Sequence, residues 1–217
     1  MKAAIFDLDG TLIDSAADIR AAANTVLAAE GLAPLSLAEA TGFIGAGAGV
    51  FVDRMAAARL PAPDPGRTAA MLAAFIDLYE GAVHLTRPYP GAVTALEVLA
   101  AEGWALGLVT NKPEGPARAV LAHLDMARFF PVVVGGDSLP RRKPDPAPLH
   151  HAMAVLGASH SVYVGDSETD AATAAAAGVP FALYTLGYRL SPPEALPHAF
   201  AFDDFAALPR WLATTTG

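Results

Sequence analysis

Two carboxylates stand two residues apart near the start of the chain, in the stretch FDLDGT. Asp7 and Asp9 follow a short apolar run at residues 3–6 that is typical of a strand buried in a parallel sheet. Open α/β sheets bind ligands at the carboxyl ends of their strands, which is where this pattern places Asp7. If the chain stays extended, both side chains point to one face and repel unless a cation or a proton neutralises a charge. A turn built from Asp and Gly10 is the alternative that this stretch alone leaves open.

Other segments carry polar groups where a strand ends or a helix begins. Thr110 and Asn111 follow the apolar run ALGLV, Lys143 precedes a helix whose start is set by two prolines, and residues 165–170 read GDSETD. In a parallel sheet these groups converge with the two aspartates on one edge. Carboxylate oxygens suit Mg²⁺, and a lysine with a hydroxyl can hold the charge of a phosphoryl group in transfer. Together the residues predict a phosphate and magnesium site.

Composition limits the classes of function. The chain has 217 residues, 53% of them hydrophobic, and a net charge of −8, so we expect a sizeable core and no nucleic-acid partner. Cysteine is absent, which fits a reducing compartment, and the first residues do not resemble a signal peptide. No stretch reaches the length of a membrane span. We therefore expect a cytoplasmic protein with no membrane partner, either a monomer or a homodimer.

The pattern along the chain changes twice. Residues 15–84 have helix-like composition interrupted by glycines and prolines, whereas the sequence from Pro88 onward alternates between helices and strands. Such alternation predicts a parallel sheet with right-handed crossovers. The helical segment is too long for one crossover. We therefore predict an α/β core formed by residues 1–14 and 85–217, with a helical cap domain inserted at residues 15–84.

The predicted elements follow from this pattern. Strands are expected at 105–110, 132–134, 162–164 and 181–184, and core helices at 92–101, 116–124, 146–156 and 170–177. Helices of the cap are expected at 18–30, 37–40, 50–60 and 67–83.

The motifs resemble those of the haloacid dehalogenase-like superfamily of hydrolases, and in particular its phosphoglycolate phosphatase group. Four motifs match in order, as DLDGT at 7–11, VTN at 109–111, KPDP at 143–146 and GDSETD at 165–170. Each motif alone is weakly specific, but the combination is highly specific and spans nearly the whole chain. The resemblance implies an α/β fold with a Rossmann-like parallel sheet and an inserted all-helical cap.

The resemblance also implies roles for residues of the chain. Asp7 would be the nucleophile, and Asp9 would protonate the leaving group and then activate water. Thr110 and Lys143 would complete the catalytic set. The substrate would also contact Gly10, Asn111 and Gly45. The implied magnesium ligands are Asp7, Asp9 through its backbone carbonyl, and Asp166, with Asp170 supporting the metal.

The glycine-rich stretch GAGAG at residues 45–49 lacks the spacing and the preceding strand of a dinucleotide loop. By resemblance, Gly45 lies in a cap loop that closes over the site and contacts the leaving group. Arg54 could bind a substrate carboxylate, although a surface ion pair is an equal alternative.

The expected function is hydrolysis of a small phosphorylated metabolite, with 2-phosphoglycolate as the best candidate, through an aspartyl phosphate and with Mg²⁺. A phosphomutase similar to β-phosphoglucomutase is the first alternative, because it shares the same core. A receiver-type signalling switch also phosphorylates an aspartate, but it has neither a cap nor an acid at the position of Asp9.

Overall fold

The structure, a computed structural model, describes residues 1–62 and 64–214. The predicted domain ranges also include residues 63 and 215–217, which lie outside the described residues. The core has the strands β1 (Lys2–Phe6), β4 (Ala105–Val109), β5 (Val132–Val134), β6 (His160–Gly165), β7 (Phe181–Tyr184) and β8 (Phe200–Phe202). Its helices are α5 (Ala92–Ala101), α6 (Glu114–His123), α7 (Ala147–Leu156), α8 (Glu168–Ala177) and α9 (Ala207–Thr214), with 3₁₀ turns at Ala127–Phe129 and Pro193–Ala195.

The core is a six-stranded sheet in the order β5-β4-β1-β6-β7-β8. All five pairings between neighbouring strands are parallel. The apolar strand β1 lies between β4 and β6, where both of its edges are paired. The carboxyl ends of these three strands therefore meet at one edge of the sheet, as the sequence pattern predicts.

Residues that alternate along the strands pack on opposite faces of the sheet. Ala4 and Phe6 of β1 belong to a cluster with residues of α5 and α9, whereas Ala3 and Ile5 belong to a second cluster with residues of α7 and α8. Helices thus cover both faces, which explains why β1 is apolar along its length rather than alternating.

The helical insertion has a core of its own. Its described part contains α1 (Ala16–Ala29), α2 (Leu37–Phe43), α3 (Ala48–Arg59) and α4 (Pro65–Tyr79). A separate hydrophobic cluster holds these helices together, with Phe51 and Phe75 stacked at 5.2 Å between ring centroids. The helix starts follow local rules, because Ser36 and Glu39 form a capping box on α2, and Asp64 with Pro65 begins α4.

The two connections between the insertion and the core lie side by side. The short strands β2 (Ile13–Asp14) and β3 (Arg87–Pro88) pair in an antiparallel ribbon. The buried carboxylate of Asp18, at the start of α1, accepts hydrogen bonds from the backbone N–H of Leu85, at 2.9 Å, and from both the N–H and the hydroxyl of Thr86, each at 2.7 Å. This carboxylate therefore joins the first helix of the insertion to the segment that returns to the core.

The structure contains each strand and helix that the sequence pattern predicts, with shifts of a few residues at their ends. The ribbon β2–β3 and the terminal elements β8 and α9 were not predicted. Strands of two or three residues are too short to show a periodic pattern, and their pairing depends on contacts distant in sequence. Among the described residues, no helix is both long and apolar enough to span a membrane.

Replacing Asp18 with alanine should lower the free energy of unfolding by about 2–3 kcal/mol, because it leaves buried N–H and hydroxyl donors without an acceptor. Urea denaturation measures this change. Asp53→Ala, at an exposed position of α3, is the matched control and should change stability by less than ~0.5 kcal/mol. Equal effects of the two substitutions would contradict the role assigned to Asp18.

Candidate active site

The predicted site residues meet at the carboxyl edge of the sheet. Asp7 follows β1, Thr110 follows β4, and Asp166 follows β6. All three side chains are buried. Because β1 lies between β4 and β6, the acidic group of Asp7 stands at the centre of this edge, with the hydroxyl on one side and the second carboxylate on the other.

A tight turn follows Asp7. Gly10 has φ +85°, and its N–H donates to the carbonyl of Ile13 at 2.9 Å. A Cβ at this position would lie 2.5 Å from Asp166 Oδ2. Glycine is therefore required both by the backbone conformation and by the approach of the carboxylate. The predicted contact of Gly10 with substrate stays a prediction, since in this structure its N–H is used within the turn.

Lys143 is the buried cation at the centre of the site. Its Nζ lies 2.9 Å from Asp7 Oδ1 and 2.6 Å from Asp170 Oδ1, and it donates to the hydroxyl of Tyr163 at 2.9 Å. Although burial lowers the pKa of a lysine, the charges of Asp170 and Asp7 raise the pKa of Lys143 above its usual value. The lysine therefore stays charged between the two carboxylates.

Asp170 is held by the start of α8. Ser167 and Asp170 form a capping box, in which Asp170 Oδ2 accepts from the N–H and the hydroxyl of Ser167. The same oxygen accepts from the N–H of Asp166 at 3.2 Å. Burial alone would raise the pKa of Asp170, but Lys143, Ser167 and Tyr163 lower it. With its oxygens occupied by donors, Asp170 acts as a support for its neighbours.

The site carries more negative than positive charge. Burial, followed by the charge of Asp170, raises the pKa of Asp7 to about 7 and raises the pKa of Asp166 well above its usual range. One oxygen each of Asp7, Asp166 and Asp170 lies within 4.8 Å of the others. Three carboxylates facing one lysine leave a charge that a divalent cation would neutralise, and their hard oxygens suit such an ion. The residues thus fit a divalent metal, held by Asp7 and Asp166.

Asp9 lies apart from this group of carboxylates. Its Oδ1 accepts from the hydroxyl of Ser15 at 2.5 Å and lies 3.3 Å from Nζ of Lys112. Asp9 nevertheless lines the same cavity as Asp7. The structure therefore places the two carboxylates in different surroundings, with Asp7 in the buried acidic group and Asp9 facing the cap. The predicted contact of Asp9 with a metal through its carbonyl stays a prediction.

Thr110 and Asn111 take different positions. The Thr110 Oγ1 accepts from the N–H of Lys112 at 3.2 Å, which leaves its own hydroxyl hydrogen free to donate into the cavity. The Asn111 amide donates to the carbonyls of Gly45 and Lys143, each at 3.1 Å. Asn111 thus ties the cap loop to the core in this structure. Its predicted contact with a phosphoryl oxygen would require these hydrogen bonds to be exchanged.

The sequence pattern assigns no role to Lys112 or Tyr79. The Nζ of Lys112 donates to the hydroxyl of Tyr79, on cap helix α4, at 2.7 Å. Lys112 is buried, and burial lowers its pKa although Asp9 opposes the shift. The signal for Lys112 was its place directly after Asn111, within the motif at the end of β4. The pattern of α4 could not show that Tyr79 faces the core.

Tyr188 was also missed, because it lies in a loop after β7 that has no periodic pattern. Its N–H donates to Asp166 Oδ2 at 2.6 Å, and its hydroxyl lies 2.6 Å from Asp14 Oδ1. The same hydroxyl accepts from the N–H of Ser15 at 2.8 Å. Tyr188 therefore connects a carboxylate of the site to the linker between core and cap.

The cap and the core together line a cavity of about 30 Å³. The core supplies the polar residues, and the cap supplies apolar side chains and the backbone of the glycine loop. The cavity is lined by Asp7, Asp9, Ile19, Ile44, Gly45, Gly47, Ala48, Phe51, Phe75, Tyr79, Thr110, Asn111 and Lys112. A larger groove of about 290 Å³ reaches Asp7 from the side of Asp166 and Tyr188.

Fold and site together define an α/β enzyme with a carboxylate and lysine centre beneath a helical cap. The model of the family described as haloacid dehalogenase-like hydrolase matches residues 4–184. The chain therefore belongs to the haloacid dehalogenase-like hydrolase family.

Comparison with similar proteins narrows the class of hydrolase. The chain is 52% identical to a phosphoglycolate phosphatase of Cereibacter sphaeroides, over 98% of each chain. It is 47% identical to a phosphoglycolate phosphatase of Rhodospirillum rubrum, over 97% of this chain and 90% of the relative. The crystal structure of a predicted phosphoglycolate phosphatase from Haemophilus somnus 129pt superposes with a TM-score of 0.92 at 30% identity, covering 98% of each chain. Within its family the protein is a phosphoric monoester hydrolase.

Replacing Gly10 with alanine should lower the free energy of unfolding by roughly 1–3 kcal/mol, since the new Cβ would be strained at positive φ and would displace Asp166. Thermal denaturation measures the loss. Gly31 also has positive φ but has open space around it, so Gly31→Ala is a control for backbone strain alone. If the two variants lose equal stability, the close approach of Asp166 to Gly10 has no energetic role.

The response of stability to a divalent cation should depend on pH. The pKa of Asp7 is about 7 in the fold, above its model-peptide value of 3.8, so the folded site holds a proton that the unfolded chain releases between these values. This contribution to stability is present below about pH 4 and is lost as the pH rises through 7. A cation competes with that proton. We therefore expect Mg²⁺ to raise the melting temperature more at pH 8 than at pH 5.5. The corresponding difference in the free energy of unfolding is roughly 1–2 kcal/mol.

Differential scanning fluorimetry at both pH values, against KCl of equal ionic strength, measures this difference. In Asp166→Asn, which removes one of the carboxylates that would hold the metal, the stabilisation by Mg²⁺ should shrink at both pH values. Equal shifts at pH 5.5 and pH 8 in the unmodified protein would contradict proton and metal competition at Asp7.

Proposed function

We propose that the protein hydrolyses 2-phosphoglycolate to glycolate and phosphate, with Mg²⁺ and through an aspartyl phosphate on Asp7. The observation that carries the proposal is the arrangement of the two aspartates of DLDGT. Asp7 lies 2.9 Å from Lys143 in the buried acidic group, whereas Asp9, which lines the same cavity, is held by Ser15 and Lys112. This separation gives a nucleophile and an acid, as two-step phosphoryl transfer requires.

In the first step a carboxylate oxygen of Asp7 attacks phosphorus, and the bond from phosphorus to the ester oxygen breaks. Asp9 gives its proton to the leaving oxygen, so that glycolate departs with a hydroxyl group. Lys143 and the hydroxyl of Thr110 offset the negative charge on the phosphoryl oxygens. These groups are buried and already placed, so little reorganisation accompanies the reaction.

In the second step water attacks the phosphorus of the aspartyl phosphate. Asp9, now a carboxylate, takes a proton from that water, and the bond between phosphorus and the Asp7 oxygen breaks to release inorganic phosphate. Asp7 returns as a carboxylate and Asp9 as an acid, which restores the starting state.

Mg²⁺ is the divalent cation of the proposal, held by Asp7 and Asp166. When bound, it would neutralise charge on the phosphoryl oxygens and lower the repulsion between carboxylates. Asp170 and Lys143 keep the two ligands in place, and Thr11 donates to Asp166 Oδ1 at 2.6 Å.

Two observations support 2-phosphoglycolate as the substrate. The similar proteins from Cereibacter sphaeroides and Rhodospirillum rubrum carry the name phosphoglycolate phosphatase. The cavity between core and cap is small, with a volume of about 30 Å³, which favours a small leaving group.

Phosphate release from a panel of small phosphomonoesters, with and without Mg²⁺, tests the proposal. We expect Mg²⁺-dependent release that is fastest with 2-phosphoglycolate. Asp7→Asn should abolish release, and Asp9→Asn should lower kcat by about 10²–10⁴-fold because the acid is lost. The exposed Asp53→Asn variant is the control and should keep the activity of the unmodified protein.

Two results would count against the proposal. Full activity in Asp7→Asn would remove the aspartyl phosphate from the mechanism. Formation of glucose-6-phosphate from β-glucose-1-phosphate, without release of phosphate from 2-phosphoglycolate, would identify a phosphomutase instead.

A further inference from the structure

A second buried lysine faces the cavity, and the reaction described above does not use it. The side chain of Lys112 is 3% exposed, and its Nζ lies 3.3 Å from Asp9 Oδ1 and 2.7 Å from the hydroxyl of Tyr79. Among the described residues these are its hydrogen-bonding partners, so one of its three N–H groups is available. The ammonium is thus paired with Asp9 and still has a donor that can bind a second anion in the cavity.

We propose that Lys112, together with Tyr79, binds the carboxylate of the substrate and so makes the enzyme selective for short phosphorylated acids over neutral phosphate esters. This inference rests on the proposed phosphatase function, and it assigns the part of the site that recognises the leaving group. The group that Lys112 would bind is an anion carried one carbon from the ester oxygen.

Position relative to Asp9 is the first argument. Asp9 gives its proton to the ester oxygen, so that oxygen lies beside the Asp9 carboxylate during the reaction. Because Nζ of Lys112 lies 3.3 Å from that carboxylate, the ammonium lies on the leaving-group side of the reaction. A carboxylate on a short leaving group is therefore within its reach.

The surroundings of Lys112 are the second argument. The cap covers this end of the cavity with the apolar side chains of Ile19, Ile44, Phe51 and Phe75. A charge-assisted hydrogen bond is stronger in such apolar surroundings than in water. A neutral leaving group would leave the remaining N–H group of the ammonium without a partner, so the site favours acids over neutral esters.

Arg54 is another cation near the site, and its contacts argue against the same role. Its guanidinium donates to the carbonyls of Gly42 and Phe43, at 3.4 and 3.1 Å, and it lines the groove that reaches Asp166. Arg54 is therefore engaged with the end of α2, whereas Lys112 lines the cavity between core and cap.

Selectivity for an acid over its neutral analogue measures this role. The ratio of kcat/KM for 2-phosphoglycolate to kcat/KM for ethyl phosphate should be large in the unmodified enzyme, and in Lys112→Met it should fall by about 30-fold or more, as expected for loss of a charge-assisted contact. Lys112→Arg should restore part of the ratio. Arg54→Met is the matched control and should leave the ratio within about threefold of the original.

A binding measurement separates recognition from proton transfer. In the Asp7→Asn background, which does not turn over, calorimetry compares binding of 2-phosphoglycolate and of ethyl phosphate before and after Lys112→Gln. We expect the preference for 2-phosphoglycolate to disappear. This readout does not depend on Asp9 acting as an acid, and the glutamine keeps a donor for Tyr79 if the methionine variant fails to fold.

The outcomes distinguish the two proposals. If both substrates lose activity equally in Lys112→Met and the binding preference is kept, Lys112 acts on Asp9 and the inference is wrong. The inference is also wrong if Arg54→Met, rather than Lys112→Met, lowers the ratio of the two kcat/KM values. If the unmodified enzyme releases phosphate equally well from both esters, the inference fails while the phosphatase function stands. If it releases phosphate from neither ester, the proposed function itself fails, and the inference with it.

Discussion

The buried ion pair of Lys143 with Asp7 and Asp170 is the interaction on which the site depends. Without the lysine, three buried carboxylates, with one oxygen each within 4.8 Å of the others, would have no cation beside them. The three residues come from separate parts of the chain: Asp7 from the end of β1, Lys143 from the segment before α7 and Asp170 from the start of α8. One ammonium group therefore fixes the spacing between elements that the sheet alone places only approximately.

Most of the core and the acidic part of the site follow from the sequence. The buried strands are apolar, and Asp7, Thr110 and Asp166 stand directly after them, so the parallel topology alone brings them together. The capping box of Ser167 and Asp170 is also local in sequence. The rest depends on contacts between distant segments. Tyr188 reaches Asp166 from an irregular loop, and Tyr79 reaches Lys112 from the cap, and neither approach leaves a periodic pattern.

Two of the contacts between core and cap come from the residues that follow β4. Asn111 donates to the carbonyl of Gly45, and the neighbouring Lys112 donates to Tyr79 on α4. Both bonds end on the cap, while the side chains themselves line the cavity beside Asp7 and Asp9. The same two residues therefore contact the cap and line the cavity. A movement of the cap would change the positions of both side chains in the cavity.

The ribbon of β2 and β3 has a consequence for how such proteins can diverge. Since Asp14 pairs with Arg87, the chain leaves the core and returns to it at nearly the same place, and the sheet order is independent of what lies between. Helices of another length or number could replace the present ones while the reacting aspartates keep their positions. The architecture thus behaves as a fixed chemical base with an exchangeable module, in which new specificities can arise by insertion or recombination at a single junction.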